Sequence, residues 1–246
     1  MFDSPLISGD VLREVIAKAP RNLDNLDAEL LFIERNYIFH YLDGNKHVYK
    51  SLTPDVLRSA FANEPTDTDW LPKSVIRHGS SVSGNWVVCF FPQQRYELQV
   101  NQEQLYLPLS SFVFMGIGSS YFLWAVKKNQ FDPNLILYHA PLPNVMADGR
   151  ICWGNVCPTS VNLSNVESAW SKFMESTFNR DYTQGKSKQY NNNIIEQLKI
   201  LNRKGKISYR CRYPVSDLVP VRNKLTVEQA VKEVVKKAEV SNNPLR

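Results

Sequence analysis

The spacing of apolar residues changes character several times along the chain. Between Glu29 and Leu52 the run ELLFIERNYIFHYLDGNKHVYKSL predicts two or three short strands, with Asp43-Gly44 as a hairpin signal. Thr53 followed by Pro54 predicts a capped helix to about Ala62, and NEPTDTDWLP, Asn63 to Pro72, has the turn-rich composition of a linker. From about Ser74 to Leu137 come WVVCFF, RYELQV, SSFVFMGI and SYFLWAV, rich in β-branched and aromatic residues and separated by turn residues. These runs predict an antiparallel meander. Further on the period becomes helical. Ser164 and Glu167 have the spacing of a capping box ahead of Val166, Trp170, Phe173, Met174 and Phe178. A second helix is predicted from about Ser187 to Leu201. A third opens at Thr226, with Gln229 three residues on, and sets Val227, Ala230, Val231, Val234, Val235 and Ala238 on one face. Strands followed by segregated helices predict an α+β fold.

These changes divide the chain into an N-terminal accessory module (1–72), a core domain (73–201) and a C-terminal extension (202–246). Composition alters the picture only for the last part. Of the residues from Lys199 to Arg246, 12 are Lys or Arg and 4 are Asp or Glu, so the overall net charge of +5 comes from the C-terminal fifth. Such a run can dock an acidic partner or be a solvated helix face. Aromatics are sparse in it and no nucleic-acid motif accompanies it, so no nucleic acid is expected as a partner. The opening MFDSPLISGD has neither the basic start nor the apolar run of a secretory signal, and no stretch approaches the roughly 18 apolar residues that cross a bilayer. A cytoplasmic location without membrane attachment is expected.

Candidate chemistry concentrates in LYHAPLPNVMADGRICWGN, Leu137 to Asn155. Asp148-Gly149 is a turn pair. If the chain is extended after it, Arg150 and Cys152 point one way while Ile151 and Trp153 point the other. The thiol is then exposed beside a cation, on a segment anchored by its alternate residues, and a nearby positive charge favours the nucleophilic thiolate. Of the other cysteines, Cys89 lies inside the apolar VVCFF, Cys157 precedes a proline, and the four cysteines are too sparse for a disulfide framework. A buried structural cysteine remains the alternative for Cys152.

The string PNVMADGRICW resembles the active-site segment of ubiquitin-conjugating enzymes, in which a His-Pro-Asn triplet precedes a variable turn, a glycine and the catalytic cysteine. Pro143, Asn144, Gly149, Ile151 and Cys152 fall in register with it. Together with LPLSSFVF, AWSKFMESTF, RNYIFHYLDG and DWLPKSV, the segment is similar to prokaryotic ubiquitin-conjugating-like family D, the group that includes PRTRC system protein B. The resemblance covers roughly Ala28 to Leu201. It departs from the eukaryotic pattern at Leu142, which holds the place of the triplet's histidine, while His139 lies three residues earlier.

The resemblance implies a ubiquitin-conjugating-like fold in 73–201. It implies that Cys152 takes a ubiquitin-like protein from a ThiF-like activating enzyme as a thioester and yields it to an amine, on an acceptor protein or small molecule. Asn144 then donates to the oxyanion or holds the loop that does. His139, Arg150, Pro143 and Gly149 are supporting residues, and Asp181 is a candidate for the acidic gate that orients the amine. No cofactor or metal is expected. Three other readings stand beside this one: a thiol hydrolase with Cys152 as nucleophile and His139 as base, a metal site of Cys152, Cys157 and His139, and a conjugating-fold module that binds a ubiquitin-like protein without catalysis.

Overall fold

The computed structural model describes residues 28–33, 36–54, 56–57, 70–81, 83–155 and 158–241, and the chain divides into two units, 1–68 and 69–246. The first unit holds an antiparallel sheet of β1 (Ala28–Ile33), β2 (Asn36–Asp43) and β3 (Lys46–Leu52), in chain order. Strands β2 and β3 form the predicted hairpin, turning at Gly44 with φ +59°. The Thr53 hydroxyl accepts from the Val56 amide at 3.3 Å, as a cap does. The rest of the expected helix and most of the expected linker lie outside the described residues.

The second unit is built on a five-stranded antiparallel sheet. It comprises β4 (Val75–Ser81), β5 (Gly84–Phe91), β8 (Ser111–Ile117), β9 (Ser120–Val126) and the short β10 (Tyr138–His139), in the order β10-β9-β8-β5-β4. The expected meander is not continuous. Strands β6 (Gln94–Val100) and β7 (Glu103–Leu109) leave it as a separate hairpin, and β5 pairs directly with β8. Burial explains the sorting. WVVCFF and SFVFMGI are apolar on both sides and fit the centre of a covered sheet, whereas RYELQV alternates and buries only Leu98 and Val100 fully.

Side-chain alternation gives the sheet two apolar faces. Val87, Cys89, Phe112, Phe114, Tyr121 and Leu123 face the β6–β7 hairpin and two helices, α1 (Val166–Met174) and α2 (Ile194–Ile207). Val88, Phe90, Val113, Met115, Trp124 and Val126 face the other way, onto Val221 and the Val227, Ala230 and Val231 stripe of α3 (Val227–Ser241). The expected boundary at residue 201 falls inside α2, and Tyr213, Leu218, Val221 and the inner face of α3 are core of the second unit.

The helix ends differ from expectation in three places. Ser164 and Glu167 do not form a capping box: Glu167 accepts from Ser74 at 2.7 Å, and the Asn162 carboxamide oxygen instead accepts from the Ser164 and Asn165 amides. Phe178, expected on this helix, belongs to β11 (Thr177–Phe178), which pairs parallel with β6. Helix α2 begins seven residues later than predicted, because Asp217 takes the Lys188 and Gln189 amides and Asn193 caps the helix through the Ile195 amide. The Thr226–Gln229 capping box of α3 forms as predicted, with its two bonds at 3.0 and 3.3 Å.

Helix α3 is therefore a cover for the sheet, and a charge on its apolar stripe should be costly. Val231→Asp is expected to lower the unfolding free energy by on the order of 3 kcal/mol, as for a polar group left unpaired in apolar surroundings. Urea titration of the full chain checks this, and an unchanged midpoint would show that α3 is not part of the cooperative unit.

Candidate functional site

The segment carrying Cys152 is a small tongue laid along the edge of β9. Strand β10 takes part of that edge, with Tyr138 and His139 opposite Ala125 and Trp124. The chain loops out and returns so that Leu123 N donates to Gly149 O and Ile151 N to Tyr121 O, each at 2.8 Å. Within the tongue Met146 N donates to Arg150 O and Cys152 N to Asn144 O, both at 2.8 Å, and Gly149 N closes the turn on Met146 O at 3.0 Å. Gly149 has φ +91°, and a Cβ there would lie 2.2 Å from Trp124 Nε1. The turn therefore admits only glycine, for reasons of both backbone and space.

The side chains alternate as the sequence predicted. Ile151 is buried, and Trp153 packs edge-on against Tyr121 and Phe173, with ring centroids 5.5 and 5.9 Å apart. Arg150 is exposed and lies 3.9 Å from the Asp148 carboxylate. Cys152 is a free, half-buried thiol. No hydrogen bond joins its sulfur to Arg150 or His139. Cys89 is an inert core residue, its thiol pushed up to about 12 by burial. Cys211 is half-buried far along the chain, and Cys157 lies outside the described residues.

Asn144 is the junction between the tongue and β11. Its backbone is left-handed, φ +59°, a conformation asparagine tolerates better than most residues. Its Nδ2 donates to Thr177 O at 3.2 Å, its Oδ1 accepts from Asn179 N at 3.3 Å, and its own amide donates to Asp181 O at 2.9 Å. Pro143 beside it is buried. Asp181 is exposed, and its carboxylate accepts from Asn179 Nδ2 at 2.8 Å. Asn144, Pro143, Gly149 and Cys152 are thus brought together in one tongue, with Asp181 bound to it through the backbone.

Lys186 is the residue that sequence reasoning missed. It is 3% exposed, and its ammonium donates to the carbonyls of Leu142 and Val145, the latter at 2.6 Å, on either side of Pro143-Asn144. Burial pushes it down from the ordinary 10.5 to about 7. In the polar run GKSKQY nothing separates this lysine from a solvated one. The one hint is the absence of a polar side chain at Leu142, which leaves the loop's inward carbonyls without a donor. His139 faces the same region, and its imidazole is lowered by burial and by Lys186. It lines a cavity that Cys152 does not line. No hydrogen bond pairs Cys152 with His139 as a thiol hydrolase would need, and no group of metal-ligating side chains suited to an ion occurs among the described residues.

Two outcomes follow from this geometry. Gly149→Ala should cost at least about 2 kcal/mol, through a left-handed backbone and overpacking against Trp124, as thermal or urea unfolding would show. An unfolded lysine keeps its proton up to 10.5 while the folded Lys186 gives it up near 7, so the unfolded state binds more protons between those values. The contribution of Lys186 to stability is then flat below about pH 7 and rises toward 10.5. The difference in unfolding free energy between wild type and Lys186→Met should move in favour of the wild type across that window. A difference independent of pH would mean that the two carbonyls hold the ammonium as well as water does.

No helix among the described residues is long and apolar enough to cross a membrane. No curated protein and no solved structure matches the chain. The family model for prokaryotic E2 family D matches residues 48–221, which include β4 to β11, α1, α2 and the whole cysteine tongue. With well over half of its length matched, the chain belongs to prokaryotic E2 family D, the ubiquitin-conjugating-like family that its cysteine segment resembles.

Proposed function

We propose that the chain is a conjugating enzyme that carries a ubiquitin-like protein as a thioester on Cys152. The observation that carries this reading is the tongue itself. A free, half-buried thiol sits where the backbone on its N-terminal side is pinned by Asn144 O and by β9, and the ring that follows it is packed into the core. Such a thiol can be reached by another protein while its position stays fixed, which is what acyl transfer between macromolecules needs.

In the reaction, the Cys152 thiolate attacks the acyl carbon of the modifier's C-terminal thioester on a ThiF-like activating enzyme. A new carbon–sulfur bond forms and the enzyme's thiolate leaves. An acceptor amine then attacks the same carbon, an oxyanion forms and collapses, the Cys152 thiolate departs, and the amine loses a proton to solvent or a nearby base. Asn144 acts first as the holder of the tongue, with Oδ1 accepting from Asn179 N and one of its two Nδ2 hydrogens given to Thr177 O, which leaves the second hydrogen for an oxyanion. Asp181, exposed and tied to the same junction, is the proposed acidic neighbour of the incoming amine.

The test combines the full chain with an activating enzyme, a ubiquitin-like protein and ATP. A thiol-sensitive adduct is expected, converted by Cys152→Ser to a thiol-resistant ester or abolished, and retained by Cys157→Ser. Binding of the modifier without any adduct would support the non-catalytic module instead. Asn144→Ala should lower the melting temperature and slow charging and discharge together. Discharge slowed about 100- to 1,000-fold with charging intact, the loss expected for one oxyanion donor, would return its amide to catalysis.

A further inference from the structure

Beside the tongue lies a second feature that thioester chemistry does not use. A cavity of about 390 Å³ is bounded by His139, by Val145 and Ala147 of the tongue, and by the turn from Arg180 to Lys186. Its polar side chains are His139, Arg180, Tyr182, Thr183, Gln184 and Lys186, and no carboxylate lines it. The nearest acid in sequence, Asp181, points its carboxylate at Asn179 Nδ2. We propose that this cavity binds a phosphate group, free or carried on a small molecule.

Several donors around the cavity are unspent. The Arg180 guanidinium, the His139 ring and the Thr183 hydroxyl make no hydrogen bond among the described residues, and all three residues line the cavity. Lys186 is nearly fully buried with only two carbonyls as partners, and an ammonium has three hydrogens to give. No described carboxylate pairs with it. A buried cation without a counter-charge is costly: burial pushes Lys186 down to about 7, and burial together with Lys186 lowers the neighbouring His139 imidazole. One anion would relieve both. A carboxylate offers two oxygens on one side, whereas phosphate offers several and nearly two charges, which suits donors converging from β10, the Arg180 end of the turn and its Lys186 end. An occupant touches the tongue through Val145 and Ala147, not through the thiol, so binding does not depend on the conjugation reading.

The experiment uses the full chain at constant ionic strength, with chloride as the balancing ion. Inorganic phosphate and glycerol 3-phosphate are titrated by calorimetry, with ³¹P line broadening as the second readout. Saturable one-to-one binding is expected, weakened about tenfold or more in Arg180→Ala, the size of one charge-assisted hydrogen bond. Because Arg180 is exposed, that variant should keep the wild-type near-UV circular dichroism. His139→Gln provides an independent second variant. Tighter binding of the ester than of inorganic phosphate would identify a carried phosphate, and equal binding a free one. Both variants binding as wild type, or binding that does not saturate, would mean an adventitious ion only. Acetate displacing phosphate at equal concentration would overturn the assignment to phosphate.

Discussion

Everything in the second unit depends on a sheet that cannot be left open on either side. All seven residues of β8 are buried, and neighbouring residues along β5, β8 and β9 belong alternately to two different apolar clusters. An antiparallel sheet of this kind needs two covers. One comes from α1, α2 and the β6–β7 hairpin, and the other from α3 at the far end of the chain. Lys199, Arg203, Lys204 and Lys206 of α2 and Lys232, Lys236 and Lys237 of α3 are then on the outer faces of covering helices: in α3 Val227, Ala230 and Val231 turn inward, and Lys232 reaches Glu228 on the outside at 3.0 Å.

A covered sheet also determines where chemistry can sit. With both faces occupied, the exposed backbone is at the edges, and β9 offers its edge to whatever follows it. Strand β10 takes one part and the tongue takes the next, so the thiol inherits the rigidity of a strand of the main sheet without joining the core. Trp124 links the two roles. It is packed in the second core cluster, and its ring leaves room for nothing larger than the Gly149 backbone. Core packing and the shape of the tongue are therefore one constraint.

Much of this was legible from period and turn chemistry, because those signals are local. The Asp43-Gly44 hairpin, the Thr226–Gln229 cap and the alternation of Ile151, Cys152 and Trp153 all depend on neighbours within a few residues. What escaped depends on distant partners. WVVCFF and RYELQV both read as strands, and only the pairing of β5 with β8 separates them into different sheets. The start of α2 was misplaced because the amides of Lys188 and Gln189 are taken by Asp217, some thirty residues away in the chain. At the site, the register of Asn144 with Cys152 was visible from sequence, but the commitment of Asn144's carboxamide to Thr177 and Asn179 was not.

Lys186 shows why a resemblance could point to the tongue and still not explain how it holds. Leu142 is fully buried, and its side chain can donate nothing to the loop. The carbonyls of Leu142 and Val145 nevertheless face inward, and buried carbonyls need donors. A single ammonium with three hydrogens can serve two carbonyls at once, whereas a neutral imidazole donates only one bond. Lys186 satisfies both carbonyls, but it brings a charge into a place that disfavours charge. The same side chain that secures the tongue is for that reason a group whose proton is easily lost near neutrality, and anything that changes its charge acts on the loop holding Asn144.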